Sequence, residues 1–248
     1  MASLNTSQLS PTVREKVTPF FSEITGAYDN NIHSIYLVGS VLTTDYIEKV
    51  SDINSVIVLK EMDLKFLDIL APLGKKYRKK RISAPLLMTP EYIKKSLDVF
   101  PIEFLNFRLT HQTLLGEDIL EGLEIDRGDL KRQCEREVKG KLIWLRQGYI
   151  SSMGNRRMLA DNIIRQFTGY MPLFRGFIQL LGEGPPVNRK DVVAVLSRLT
   201  GTETDIFEEA YAMKKKVFKP TFEQLHTLFE KYYQATERLL EVIYGIEI

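Results

Sequence analysis

Apolar residues in the first 116 positions alternate between helical spacing and short continuous runs. Steps of three and four predict a first helix that stops near Gly26, through Val13, Val17, Phe20, Phe21 and Ile24. Apolar runs at 35–38, 53–59 and 82–88 predict three strands, the last at a sheet edge because Pro85 lacks an N–H for the ladder. Apolar positions between 64 and 73 predict a helix between the second and third of these strands.

Two prolines divide the stretch that follows. Thr89 and Pro90 predict a helix start, with the threonine as N-cap and the proline in the first turn. We expect Pro101 to end that helix. The apolar residues from Ile102 to Leu109 then predict a further strand.

The second half has a purely helical pattern. Residues three and four apart form one apolar stripe of a long helix, from Leu130 through Cys134, Val138, Leu142 and Leu145 to Tyr149. Further helices are predicted at 158–181, interrupted by Pro172, and at 191–199, 205–213 and 222–244. Near 122–128 the pattern changes from mixed helix and strand signals to helical spacing alone, which predicts two domains, 1–125 and 126–248. The second is predicted to be a helical bundle with Trp144, Phe167, Phe174 and Phe177 in its core.

Composition narrows the classes of protein. The 34 Lys and Arg against 32 Asp and Glu argue against a nucleic-acid coat protein, and a single cysteine excludes an intrachain disulfide. The polar start of the chain lacks the apolar core of a signal peptide, and no apolar run reaches the roughly 18 residues of a membrane span. We therefore expect a cytoplasmic protein with no membrane partner.

The chemically informative stretch combines a glycine–serine turn with polar residues at the start of the next strand. Gly39 lets the backbone approach a ligand, and the Ser40 hydroxyl with nearby N–H groups can hold phosphate oxygens. Asp52 and Asn54 are two residues apart, so on a strand they project from the same face. Glu103, alone among apolar residues, is the expected third oxygen ligand on a neighbouring strand.

This set resembles the signature of the nucleotidyltransferase-fold superfamily, which includes DNA polymerase beta and kanamycin nucleotidyltransferase. The resemblance rests on Val38-Gly39-Ser40, Asp52-Ile53 and Glu103, and it covers residues 30–116. The helical half resembles the bundle that follows the catalytic domain in several bacterial members. The implied fold is α/β (α+β), a mixed sheet with flanking helices followed by an all-α bundle.

The resemblance implies two-metal phosphoryl transfer, in which Mg²⁺ or Mn²⁺ assists the transfer of a nucleoside monophosphate from an NTP to a hydroxyl group. It assigns Gly39 and Ser40 to the phosphates, Asp52, Asn54 and Glu103 to the metals, and Asp52 and Glu103 to catalysis. Arg136 and Lys139 on the first long helix of the bundle are nucleotide-binding candidates, although Lys139 could instead pair with Glu135. The acceptor is left open as a small molecule, a protein or RNA, and assembly as a homodimer is also left open.

Two positions depart from the family pattern, the second acidic position and the apolar position after it, which is Ser55. The second acidic position is Asn54, which offers a neutral oxygen where Mg²⁺ prefers an anionic one. The alternative hypothesis is therefore a catalytically degenerate nucleotide-binding or interaction module that keeps the fold without the chemistry.

A basic run separates the predicted helix after residue 64 from the third strand. Six of its seven residues, 75–81, are Lys or Arg, and Tyr77 is the exception. The run is typical of a solvated helix end, where cations complement the helix dipole. It also permits a polyanion contact in which Tyr77 stacks on a base.

Overall fold

The structure is a computed structural model that describes residues 4–167, 169–215 and 217–247. The chain divides into two units, Met1–Ile125 and Asp126–Ile248. The helices and strands of the first unit are, in chain order, α1 (Pro11–Tyr28), β1 (Ile32–Val38), β2 (Asn54–Leu59), α2 (Lys65–Tyr77), β3 (Leu86–Met88), α3 (Pro90–Lys95), α4 (Pro101–Leu109) and β4 (His111–Gly116).

The first unit is built on a four-stranded mixed sheet in the order β3-β2-β1-β4. β1 pairs antiparallel with β2 on one side and with β4 on the other, while β3 runs parallel to β2. The short β3 is an edge strand, as Pro85 predicted.

Both faces of the sheet are covered, which explains why β1 and β2 have continuous apolar sequences. One face packs Ile35, Leu37 and Ile57 against residues of α1 and α2, among them Phe20, Phe21 and Phe66. The opposite face packs Tyr36, Val38, Val56 and Val58 against Ile93 of α3, Phe104 of α4 and Leu120. The unit is therefore a helix–sheet–helix sandwich.

The predicted strand at 102–109 is wrong. Pro101 does not end a helix but lies in the first turn of α4, where its missing N–H costs nothing. α3 has already ended at Lys95. The strand that completes the sheet is β4, whose polar sequence from His111 to Gly116 gave no strong periodic signal.

The second unit is helical throughout its described part. Its helices are α5 (Arg127–Ser152), α6 (Arg156–Phe167), α7 (Tyr170–Leu180), α8 (Arg189–Thr200), α9 (Asp205–Lys214) and α10 (Phe222–Tyr244). Its centre is a cluster of buried rings from α7, α9 and α10, namely Tyr170, Phe174, Phe207 and Tyr232.

Phe167, Phe174 and Phe177 are buried, as predicted, but Trp144 is 61% exposed. The core stripe of α5 runs through Leu142 and Leu145, and Trp144 lies between them on the other side of the helix. None of the helices in the described ranges carries an apolar stretch that would span a lipid bilayer.

Candidate active site

The glycine–serine turn ends β1 at one edge of the sheet. Gly39 has a φ of 81°, in the left-handed region that favours glycine, and its N–H donates to the Thr110 carbonyl at 2.9 Å. A Cβ placed on Gly39 would meet nothing within 4 Å. The turn is thus anchored to the chain just before β4, while the space beside its α-carbon is open.

The chain from Gly39 forms a single 3₁₀ turn, Gly39–Leu42. The Ser40 carbonyl accepts the backbone N–H and the hydroxyl of Thr43, at 3.0 and 3.1 Å. These bonds close the loop between Ser40 and Thr43. Phosphate binding at this turn would therefore depend on the Ser40 hydroxyl and local N–H groups, without support from a long helix.

Asn54 is placed beside this turn by the strand register. Val38, the last residue of β1, pairs with Asn54 of β2 and with His111 of β4. Directly paired residues point to the same face of a sheet, so Asn54, Val38 and His111 form a row across three strands. The Asn54 side chain is exposed, so its amide oxygen is accessible to a ligand.

Asp52 lies two residues before Asn54. Ile53 between them is buried on the α1–α2 face and bridges in parallel to Ile82, so alternation directs Asp52 to the same face as Asn54. The Asp52 side chain is 57% exposed, and its Oδ1 forms an ion pair with Arg81 Nη2 at 2.9 Å. Because Asp52 precedes β2, its convergence with Asn54 on one ligand stays a prediction.

Glu103 is not on a strand. It lies in the first turn of α4 and is exposed, while its neighbour Phe104 packs on the sheet face that carries Asn54. The prediction that Glu103 lies on a strand is wrong. Any role for Glu103 must come from α4, which packs on that face of the sheet. In the described ranges, no three His, Cys, Asp or Glu side chains lie close enough together to hold a metal ion.

The bundle candidates belong to the second unit. Arg136 is 63% exposed and lies 3.9 Å from the Glu137 carboxylate. Lys139 pairs with Glu135 at 2.5 Å and lies over the Tyr244 ring, and both contacts raise the pKa of its ammonium group. The i,i+4 pair considered from the sequence is thus present, and the nucleotide-binding role of both residues stays a prediction.

His111 was not singled out from the sequence, and its side chain is only 8% exposed. Its Nδ1 lies 2.8 Å from the Phe107 carbonyl and its Nε2 lies 2.9 Å from Asp118 Oδ2. Burial by itself would raise the pKa of Asp118, but hydrogen bonds from Thr113 and His111 outweigh it and lower that pKa. His111 therefore ties the end of α4 to the segment after β4, and the spacing His-x-Thr-x₄-Asp was the available signal.

Tyr77 does not offer a stacking surface. Its side chain is 4% exposed, and its hydroxyl donates to Glu23 at 2.5 Å. Lys76 and Lys80 lie over its ring at 5.4 and 5.3 Å. The base-stacking interpretation of the basic run is wrong, because the aromatic ring anchors the end of α2 in the core.

Comparison with known proteins gives a structural likeness without a sequence family. No family model and no curated protein matches the chain. A solved structure of the spectinomycin adenyltransferase AAD(9) from Enterococcus faecialis, with ATP and spectinomycin, is similar at a TM-score of 0.55 and 12% identity. The match covers 91% of this chain and 98% of that one.

The likeness defines the architecture. The chain has a nucleotidyltransferase-like α/β fold, with a mixed four-stranded sheet and flanking helices, followed by a helical C-terminal region. Since fold does not by itself determine activity, the function has to be argued from the residues at the Gly39 turn.

Proposed function

We propose that the chain is a nucleotidyltransferase-like protein that transfers a nucleoside monophosphate from an NTP to a hydroxyl acceptor. The observation that carries this proposal is the open glycine turn at the end of β1, whose last residue Val38 pairs with Asn54 of β2, with Asp52 two residues before Asn54. The similarity to an adenyltransferase solved with ATP supports an NTP as donor.

The donor set fits a metal ion that arrives with the nucleotide. Mg²⁺ in nucleotide sites is usually held by one or two carboxylates together with substrate phosphates and water, so a closed protein cage is not required. Asp52 would supply the anionic oxygen, Asn54 a neutral one, and Glu103 a further carboxylate from α4. A bound divalent ion supplies charge neutralisation at the triphosphate and lowers the pKa of a coordinated hydroxyl.

The chain's own groups have two tasks in this reaction. The Gly39 turn positions the triphosphate so that the acceptor hydroxyl oxygen attacks the α-phosphorus and loses its proton to solvent, while the bond from the α-phosphorus to the bridging oxygen breaks and pyrophosphate leaves. Asp52 would hold the divalent ion beside the triphosphate, where the charge of the ion offsets the negative charge of the phosphates. That Arg136 and Lys139 bind the nucleotide stays a prediction from the sequence.

The test is transfer from α-labelled NTPs, in Mg²⁺ or Mn²⁺, to a panel of acceptors that includes spectinomycin, RNA and the protein itself. We expect Asp52→Asn to reduce transfer at least about a hundredfold, since the metal-ion contribution is several kcal/mol. Glu48→Gln is the matched control, because Glu48 lies in the same segment but pairs with Lys16 at 3.0 Å. Undiminished transfer by Asp52→Asn would contradict the proposal.

A second candidate is a nucleotide-binding module without turnover. Two observations favour it, the neutral Asn54 and the Arg81 guanidinium on Asp52. Asn54→Asp distinguishes the two candidates. Transfer that appears only in this variant, with nucleotide binding already present in the wild type, identifies the chain as a binding module.

A further inference from the structure

Arg81 has an unusual backbone conformation beside the candidate site. It ends the basic run 75–81 with a φ of 61°, and it is one of two non-glycine residues in the described ranges with a positive φ. Such a conformation costs a long side chain on the order of 1 kcal/mol or more, so surrounding contacts must hold it.

Apart from the hydrogen bond from the Arg81 N–H to the Arg78 carbonyl at 3.0 Å, those contacts involve the segment that carries Asp52. The Arg81 guanidinium pairs with Asp52 Oδ1 at 2.9 Å and donates to the Ser51 and Val50 carbonyls at 3.2 and 2.5 Å. The Arg81 carbonyl accepts the Ile53 N–H at 2.8 Å. One residue thus fixes the approach to β2 through both its backbone and its side chain.

The rest of the basic run behaves differently. Lys76 pairs with Glu23 at 2.7 Å, whereas no carboxylate within 4.0 Å is found for Lys75, Arg78 or Lys79 in the part of the chain that the structure describes. Arg81 is therefore the cation of the run that is directed at the site. It is also accessible, with 39% of its side chain exposed.

We propose that Arg81 is an exchangeable partner of Asp52, and this inference rests on the proposed function. Without nucleotide, the guanidinium neutralises Asp52 and competes with a divalent ion for its oxygens. When a metal–NTP complex binds, Asp52 turns to the metal and Arg81 turns to the phosphate oxygens, which its planar fork can bind in pairs. Metal and nucleotide then bind cooperatively, because the nucleotide supplies the replacement partner for Arg81.

The exchange predicts that Arg81→Gln changes the affinity for free Mn²⁺ and the affinity for a Mn²⁺–nucleotide complex in opposite directions. Mn²⁺ alone should bind about two- to fivefold more tightly, the range expected when an exposed ion pair no longer competes. A Mn²⁺ complex of a non-hydrolysable NTP analogue should bind about tenfold more weakly, because a charge-assisted hydrogen bond to phosphate is lost. Free Mn²⁺ measured by electron paramagnetic resonance reports the first quantity, and calorimetry reports the second.

Three further variants separate the effect of the Arg81 side chain from those of general charge and backbone strain. Lys79→Gln removes one charge of the same run and calibrates the general electrostatic effect, which the changes in Arg81→Gln must exceed. Arg81→Gly removes the side chain while relieving the backbone strain, so it should match Arg81→Gln in both titrations even if the glutamine variant is less stable. In Asp52→Asn, the addition of Arg81→Gln should leave Mn²⁺ affinity unchanged.

The outcomes separate the two proposals. If Asp52→Asn weakens Mn²⁺ binding but Arg81→Gln and Arg81→Gly bind Mn²⁺ as the wild type does, the exchange is overturned and the metal site stands. If Asp52→Asn leaves Mn²⁺ binding unchanged, Asp52 is not a metal ligand and both proposals fall. Effects of Arg81→Gln no larger than those of Lys79→Gln also overturn the exchange.

Discussion

The Asp52–Arg81 pair of the sheet unit and the Lys141–Tyr170–Thr236 set of the helical unit lie in different environments. In the sheet unit, the Asp52–Arg81 pair lies at an exposed edge, and the apolar cores on both faces of the sheet exclude water from the strands. In the helical unit, Lys141, Tyr170 and Thr236 are buried among aromatic rings. An exposed pair can exchange partners with a ligand at low cost, whereas a buried group is held by its surroundings.

Lys141, Tyr170 and Thr236 of the helical unit form one connected set of buried polar groups. Lys141 lies 4.0 Å from the centre of the Tyr170 ring, and the Tyr170 hydroxyl lies 2.8 Å from Thr236 Oγ1. Burial raises the pKa of the Tyr170 and Tyr232 hydroxyls. These groups join α5, α7 and α10, so we interpret them as structural, in contrast to the groups at the Gly39 turn.

The largest stability effect is expected in the ring cluster. Phe174 is fully buried, with its ring 4.7 Å from that of Phe207 and 5.3 Å from that of Tyr170. Phe174→Ala should lower the free energy of unfolding by about 3–5 kcal/mol, through lost burial and a cavity. Denaturant titration measures it, and a loss below about 1 kcal/mol would show that this cluster is not the core.

Lys141 gives a pH-dependent test of the same region. Burial lowers the pKa of its ammonium group to about 8, below the unfolded value of 10.5, and Glu137 opposes this only in part. The folded state therefore binds the proton less well, and stability should rise between about pH 8 and pH 10.5 by on the order of 3 kcal/mol.

The control for this prediction is Lys141→Met, which keeps the apolar stem and cannot titrate. The variant should be more stable than the wild type at pH 7, and most of that advantage should disappear at pH 10. An advantage that is the same at both pH values would contradict the burial of a titrating amine at this position.

A smaller effect is expected at the Gly39 turn. Gly39→Ala has room for its Cβ but must adopt a positive φ, so we expect a loss of about 1–2 kcal/mol in stability. Thermal unfolding measures the loss. A variant as stable as the wild type would mean that the turn relaxes easily and is not a rigid part of the site.

The smallest effect is expected for Trp144. Because 61% of this side chain is exposed, Trp144→Ala should change the free energy of unfolding by no more than about 0.5 kcal/mol. Comparison with Phe174→Ala shows how much less the exposed side of α5 contributes to the free energy of unfolding than the ring cluster does. A loss of several kcal/mol would place Trp144 in a packed environment in solution.

Elements with a strong internal pattern were predictable. β1 and β2 have continuous apolar runs because both faces of the sheet are covered, and α5 has a stripe at helical spacing. Thr89 caps α3 through a hydrogen bond from the Tyr92 N–H at 3.1 Å, as its sequence indicated. Such local signals require no knowledge of distant contacts.

The region from Pro101 to Gly116 was not predictable in the same way. The apolar residues of α4 fit a strand or a helix, because a short segment with few polar positions has no clear period. β4 is a strand because it pairs with β1, and its own sequence is polar. The misplacement of Glu103 follows from this single ambiguity.

The sequence by itself determined the mixed pattern of the first half, the helical pattern of the second, the positions of β1 and β2, and the two-residue spacing from which a shared face for Asp52 and Asn54 is predicted. These properties depend on residues close together in the chain and on the two-residue repeat of a strand. Only the tertiary structure decided that Arg81 pairs with Asp52, that His111 is buried beside Val38, and that Tyr77 belongs to the core. Each of these contacts joins residues that are distant in sequence, and it is determined by which backbones pair and which faces are covered.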